Sequence, residues 1–82
     1  MEKEKTVLSD LVVGDSCIVT NVMGEGKVRR RLFDMGVTPG ADIKIVKKAP
    51  LGDPIQVIIR NYDLTLRKTE AELVVVKKEE VK

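Results

Sequence analysis

Histidine is absent from this chain of 82 residues, and cysteine occurs once. Transition-metal sites in proteins are built mainly from imidazole nitrogens and thiolates, so this composition excludes a cluster of such ligands. A site made only of carboxylate oxygens stays open, although the acidic residues are scattered and mostly alternate with basic ones. We therefore expect no bound metal or other cofactor, and any role connected with a transition metal should be indirect.

A single cysteine also excludes an internal disulfide bond. Cys17 is followed by the apolar residues Ile18 and Val19. This setting predicts a small strand side chain in the core rather than a reactive or metal-binding thiol.

Long hydrophobic runs are missing as well, and none approaches the length that a bilayer-spanning helix requires. The charged segment 1–5 is not followed by the apolar core of a secretion signal, so we expect a cytoplasmic location without direct membrane insertion. The length suits one domain, residues 1–82, with a core over about residues 8–76. The ends, residues 1–5 and 77–82, are expected to be flexible.

Motifs of catalysis and platforms for nucleic acid are also missing. The chain has no nucleophile elbow, and the glycines of segment 24–27 lack the spacing and the Ser or Thr of a phosphate-binding loop, so we expect no enzyme. Phe33 and Tyr62 are the only aromatic residues, whereas barrels that bind single-stranded nucleic acid stack bases on several. The net charge of +2 is too small for strong duplex binding, so a nucleic-acid partner is not expected.

The residues that are present predict a mainly β protein. Apolar residues that alternate with polar ones, or that are β-branched, indicate five to six short antiparallel strands. These lie at residues 16–22, 43–45, 55–59, 64–66 and 73–76, preceded by a lead-in at 8–13. The connecting turns are short, and open edges would remain unless the sheet curls. We therefore expect a small SH3-like barrel with one short α-helix packed on it.

The helix is predicted over about residues 26–35. Val28, Leu32 and Met35 are spaced to form one apolar stripe, which we expect to lie on the barrel. Gly36 is placed to end the helix in the left-handed conformation.

Basic residues surround this stripe. Lys27, Arg30 and Asp34 should point away from the barrel, whereas Arg29 and Arg31 flank the stripe on opposite sides. Positive charge in the first helical turn opposes the helix dipole, so stability alone does not explain the arrangement. Two interpretations stay open: a solvated basic face whose alkyl stems cover apolar surface, and a docking surface for an acidic partner.

Polar residues near the end of the chain predict local contacts. Asp53, between Gly and Pro, either caps its own turn or faces a partner. Thr69 and Glu72 have the spacing of a capping box and predict one turn of helix. Arg67 is expected to lie where it can pair with Glu70.

Several apolar residues fall on the second face of their predicted strands, among them Ile58, Val74 and Val76. The helix should cover part of this surface. The rest leaves a homodimer or a partner interface open.

The chain also carries an ordered series of short motifs. These are Arg31-Leu32, Met35-Gly36 and Pro39-Gly40, then Ala49-Pro50, Gly52-Asp53-Pro54, Leu64, Leu66-Arg67 and Glu70-Ala71. The series extends over about residues 8–76 and resembles the FeoA family of ferrous iron transport accessory proteins. One position departs from the family, because Asn61 stands where glycine is common; the change is mild, since Asn also accepts a positive φ.

The resemblance implies a small cytosolic SH3-like barrel that works with FeoB, a membrane transporter for ferrous iron with a cytosolic GTP-binding domain. The partner would recruit the protein to the inner face of the membrane. We expect the partner contacts at Arg29, Arg30, Arg31 and Asp53. The other motif residues are expected to define the fold: Leu32, Met35, Gly36, Pro39, Gly40, Pro50, Gly52, Pro54, Leu66, Arg67 and Ala71.

An alternative function, from a different class of protein, stays open. Metal-dependent repressors carry an SH3-like domain that resembles this one, so the chain could instead be a regulatory or nucleic-acid-associated barrel.

Overall fold

The computed structural model describes residues 6–79. Within this range, six strands form one antiparallel sheet, accompanied by a 3-10 turn and two helices. In chain order the elements are β1 (Thr6–Val7), the 3-10 turn (Leu8–Asp10), β2 (Ser16–Val22), α1 (Gly26–Asp34), β3 (Asp42–Lys48), β4 (Ile55–Ile59), β5 (Tyr62–Leu66), α2 (Lys68–Ala71) and β6 (Val74–Lys78).

The sheet has the strand order β1-β6-β2-β3-β4-β5, so strands β2 to β5 form a meander and β6 returns between β1 and β2. Its register aligns apolar residues across neighbouring strands. Cys17 lies opposite Ile43, and Ile43 lies opposite Ile59, which makes a row of buried side chains across three strands. This row shows why the alternation in the sequence predicts strands: side chains of one phase all enter the same core.

Helix α1 confirms the predicted segment and corrects one part of its apolar stripe. Leu32 is fully buried, and Phe33 and Met35 pack against the core, but Val28 is 43% exposed. The helix therefore contacts the barrel through its C-terminal half, one turn less than the spacing predicts. The helix ends at Gly36 (φ 94°), as expected.

The end of α1 is a Schellman motif. The Val37 N–H donates to the Leu32 carbonyl at 3.0 Å, and the Gly36 N–H donates to the Phe33 carbonyl at 2.9 Å. A residue with a side chain would be strained at position 36, because its Cβ would lie 2.9 Å from the Tyr62 hydroxyl oxygen.

The predicted capping box of α2 is wrong by two residues. The helix begins after Arg67, whose backbone N–H donates to Oε1 of Glu70 at 3.0 Å, while Thr69 lies inside the helix and Glu72 at its end. The Glu three residues after the cap is thus Glu70, and this carboxylate is nearly buried where it can reach the N–H.

Strand β6 corrects two further expectations. Residues 77 and 78 do not fray, because Lys77 pairs with Ile18 and Lys78 with Cys17. Val74 and Val76 are buried core residues rather than open surface. The rest of the two predicted flexible ends, apart from residue 79, lies outside the described residues.

Of the three apolar residues named for a second face, only Ile58 stays partly open, at 37% exposure. A dimer or partner interface at this face stays a prediction.

The structure gives the positions of the motif residues, whose role in defining the fold stays a prediction. Leu66 and Ala71 are fully buried, Met35 is the last residue before the glycine cap, and Gly40 and Gly52 have φ values of 93° and 82° in turns. The prolines stand in the connecting loops, Pro39 before β3 and the other two between β3 and β4: Pro50 and Pro54.

Candidate docking surface

The three consecutive arginines of α1 have different surroundings. Arg29 donates from Nε to the carbonyl of Val22 at 3.1 Å, and its guanidinium lies 4.5 Å from the ring centroid of Phe33. The first contact joins α1 to the end of β2, and the second is a cation–π contact within the helix. Arg29 thus has a structural role, which the sequence did not reveal because its acceptor is a backbone carbonyl.

Arg31 joins α1 to α2. Its Nη1 lies 3.2 Å from Oε2 of Glu70, whose side chain is only 10% exposed, whereas that of Arg31 is 64% exposed. The ion-pair partner of Glu70 is therefore Arg31, and not Arg67 as expected from the sequence. Arg67 contributes only its backbone N–H to the same carboxylate.

Arg30 and Lys27 point away from these contacts, as predicted. Both are exposed, and neither has an ion pair or a side-chain hydrogen bond within residues 6–79. Of the basic residues of α1, these two are therefore the ones whose charge is available to a partner without breaking a contact inside the domain.

Asp53 does not cap its own turn, which was one of its two predicted roles. Its Oδ1 accepts the backbone N–H of Lys68 at 3.0 Å, so the carboxylate caps the first turn of α2 instead of its own turn. The β3–β4 loop is thereby attached to α2. A partner contact at Asp53 stays a prediction, and its second oxygen is the atom left for it.

A cleft of about 370 Å³ lies between α1, α2, β5 and the β3–β4 loop. The lining residues are Arg31, Asp53, Pro54, Thr65, Leu66, Arg67 and Glu70. The structure thus brings together Arg31 and Asp53 of the four predicted contact residues, and leaves Arg29 and Arg30 outside the cleft. We call it the α1–α2 cleft.

A second group of residues, which the sequence analysis missed, holds the C-terminal end of α1. Arg60 donates from Nη2 to the Thr38 hydroxyl at 2.9 Å, and the Tyr62 hydroxyl donates to the Met35 carbonyl. Arg60 has a φ of 52°, a left-handed conformation that was expected only at Asn61. The signal was the two-residue hairpin itself, since a type I′ turn requires positive φ at both central residues.

Metal-ligating and nucleophilic groups do not gather in the described part of the chain. Residues 6–79 contain no group of three or more His, Cys, Asp or Glu side chains placed to hold a metal ion. Burial raises the pKa of the Cys17 thiol to about 12, which keeps it protonated and unreactive in the folded protein. The prediction of a buried strand cysteine is confirmed.

No helix in the described range is long and apolar enough to span a membrane.

The family model and the sequence relatives that match this chain agree with one another. The model of the FeoA domain matches residues 6–78. Over 64 residues, 78% of this chain, the sequence is 39% identical to the Fe(2+) transport protein A/Fe(2+) transporter FeoB fusion protein of Porphyromonas gingivalis. The match covers about 8% of the length of that relative.

Solved structures agree with the fold. A FeoA-like protein of Clostridium acetobutylicum is 36% identical with a TM-score of 0.88, over 99% of this chain and 94% of that one. FeoA of Stenotrophomonas maltophilia, described as a prokaryotic SH3 domain protein and solved with zinc, is 30% identical with a TM-score of 0.80, over 92% and 96%. The expected SH3-like fold is thus confirmed.

For the alternative of a regulatory domain related to metal-dependent repressors, the comparison supports a shared fold and nothing more. A manganese-dependent transcriptional repressor superimposes with a TM-score of 0.85 at 15% identity, over 95% of this chain and 38% of that one. The family model and the relatives at 30% identity or more agree on one assignment: this chain belongs to the FeoA family.

Proposed function

We propose that this protein is a non-catalytic accessory component of ferrous iron transport, which docks in the cytoplasm on the cytosolic, GTP-binding part of a FeoB-type transporter. The observation that carries the proposal is the fusion protein of Porphyromonas gingivalis, in which a related domain and the transporter share one chain. Fused domains act at the same place, so an unfused domain of this family would reach its transporter by non-covalent binding.

The docking surface we propose combines the outer face of α1 with the neighbouring α1–α2 cleft. Lys27 and Arg30 supply positive charge that no group within residues 6–79 neutralises by a direct contact. Charges of this kind speed association with an acidic surface and orient the partner. The docking interpretation of α1 is therefore restricted to these two residues and the cleft side of the helix, because Arg29 is held by Val22 and Phe33.

The test is a titration of the labelled protein with the cytosolic domain of the FeoB-type transporter from the same genome, followed by amide NMR. We expect shifts on residues 27–35 and 50–54, and an affinity that falls with salt. An absence of shifts at high partner concentration would refute the docking proposal.

Charge reversal separates this surface from general electrostatic attraction. The double substitution Lys27→Glu and Arg30→Glu should raise the Kd by roughly tenfold or more, because it places like charges against the partner. The matched control reverses two exposed lysines of the sheet, Lys44→Glu and Lys77→Glu, and should leave the Kd within about twofold. Equal effects of the two double variants would contradict a specific role of α1.

A further inference from the structure

The acidic residues of the α1–α2 cleft are already engaged inside the domain. Asp53 accepts the Lys68 N–H through Oδ1. Glu70 accepts the Arg67 N–H through Oε1 and pairs with Arg31 through Oε2. Both oxygens of Glu70 are therefore engaged, whereas Asp53 keeps its second oxygen exposed at the rim of the cleft.

The basic residues of the same cleft keep unused donors. The guanidinium of Arg67 makes no hydrogen bond or ion pair in the described part of the chain, and the residue is exposed. Arg31 reaches Glu70 through Nη1, which leaves its Nη2 and Nε for another acceptor. Two guanidinium groups that line one small cleft are a favourable site for a carboxylate, which accepts charge-assisted hydrogen bonds from such donors.

The rest of the lining adds one carbon surface and a hydroxyl. Pro54 supplies exposed carbon surface and Thr65 an exposed hydroxyl group, whereas Leu66 is fully buried behind them. A volume of about 370 Å³ is suited to one or two side chains rather than to a whole helix or strand. The matching chemistry is an acidic residue with an apolar neighbour.

We infer that the α1–α2 cleft binds an acidic side chain of the partner together with an adjacent apolar residue, and that Arg67 is the principal residue that recognises the carboxylate. This inference rests on the proposed function for the identity of the partner, the cytosolic part of the transporter. It gives Arg67 a binding role, whereas the sequence motif suggested only a role in the fold.

The first test compares two neighbouring residues that lose the same charge. Arg67→Gln removes the guanidinium but keeps the backbone N–H that Glu70 accepts, so the cap of α2 is retained. Lys68→Gln is the matched control, because Lys68 is exposed and does not line the cleft. With the cytosolic domain of the transporter as ligand, Arg67→Gln should raise the Kd about tenfold and Lys68→Gln less than twofold.

A second test examines the cleft without the transporter. The probe is the dipeptide acetyl-Leu-Glu-amide, and acetyl-Leu-Gln-amide is the neutral control. The acidic probe should shift the guanidinium Nε–H signals of Arg31 and Arg67 in a saturable way, and the neutral probe should not. In the Arg67→Gln protein the acidic probe should no longer shift the Nε–H signal of Arg31.

The outcomes separate the two proposals. Saturable binding of the acidic dipeptide, without binding of the transporter domain, would support the cleft and refute the proposed partner. Binding of the transporter domain with equal affinity to the wild-type and Arg67→Gln proteins would refute the cleft and leave the proposed function intact. Binding of neither ligand would overturn both.

Discussion

Replacement of Leu32 by alanine should strongly destabilise the domain. Leu32 is the one residue of α1 that is fully buried, and it belongs to the main core cluster. Truncation of such a leucine removes its apolar contacts and leaves a cavity, at a cost of about 2 to 5 kcal/mol. This loss is a large part of a total stability of about 5 to 15 kcal/mol. At about 4 to 8 °C per kcal/mol for a domain of this size, the midpoint of thermal unfolding should fall by at least about 8 °C.

Urea unfolding followed by far-UV circular dichroism measures this effect as a change in unfolding free energy at constant m-value. The matched control is Val28→Ala in the same helix, where the residue is 43% exposed and lies outside the buried core, and where alanine favours the helical backbone. It should change the free energy by no more than about 0.5 kcal/mol. A loss below about 1 kcal/mol for Leu32→Ala, or an equal loss for Val28→Ala, would refute the proposed packing of α1.

Three other predictions follow from single residues. Gly36→Ala and Gly52→Ala both place a side chain at a positive φ, but only the first meets the Tyr62 hydroxyl, so thermal melts should show a larger loss for Gly36→Ala. Cys17, whose pKa is raised to about 12 by burial, should react with a thiol reagent at pH 8 only after denaturant is added. A backbone hydrogen bond, and to a lesser extent a lysine, lowers the pKa of Asp15 below 3.8. Its stabilisation should therefore be present above about pH 4 and be lost as the pH falls further, so Asp15→Asn should flatten the acid unfolding curve.

The most local features of the fold were readable from the sequence. Strand β2 has the bounds predicted, and Gly36 ends α1 as its position suggested. These features depend on residues close together in the chain, through side-chain alternation and the left-handed preference of glycine. The errors in the capping of α2 and in the extent of β6 arise because these ends also depend on residues distant in the chain, Asp53 for α2 and β2 for β6.

The docking surface was readable only in part. The run of basic residues predicted a helix face with excess positive charge, and the outward direction of Arg30 follows from helical geometry. The sequence could not assign Arg29 to a carbonyl of β2, or Arg31 to Glu70, since these partners lie in other elements.

The sequence by itself determined the composition, the absence of histidine, the approximate positions of β2 to β6 and of α1, and the motif series of the family. Tertiary structure decided which charges are used inside the domain and which remain for a partner. The physical reason is the range of the interactions. Alternation and turn preference act over a few residues, whereas the pairing of Arg31 with Glu70 and the capping of α2 by Asp53 require the whole sheet to be folded.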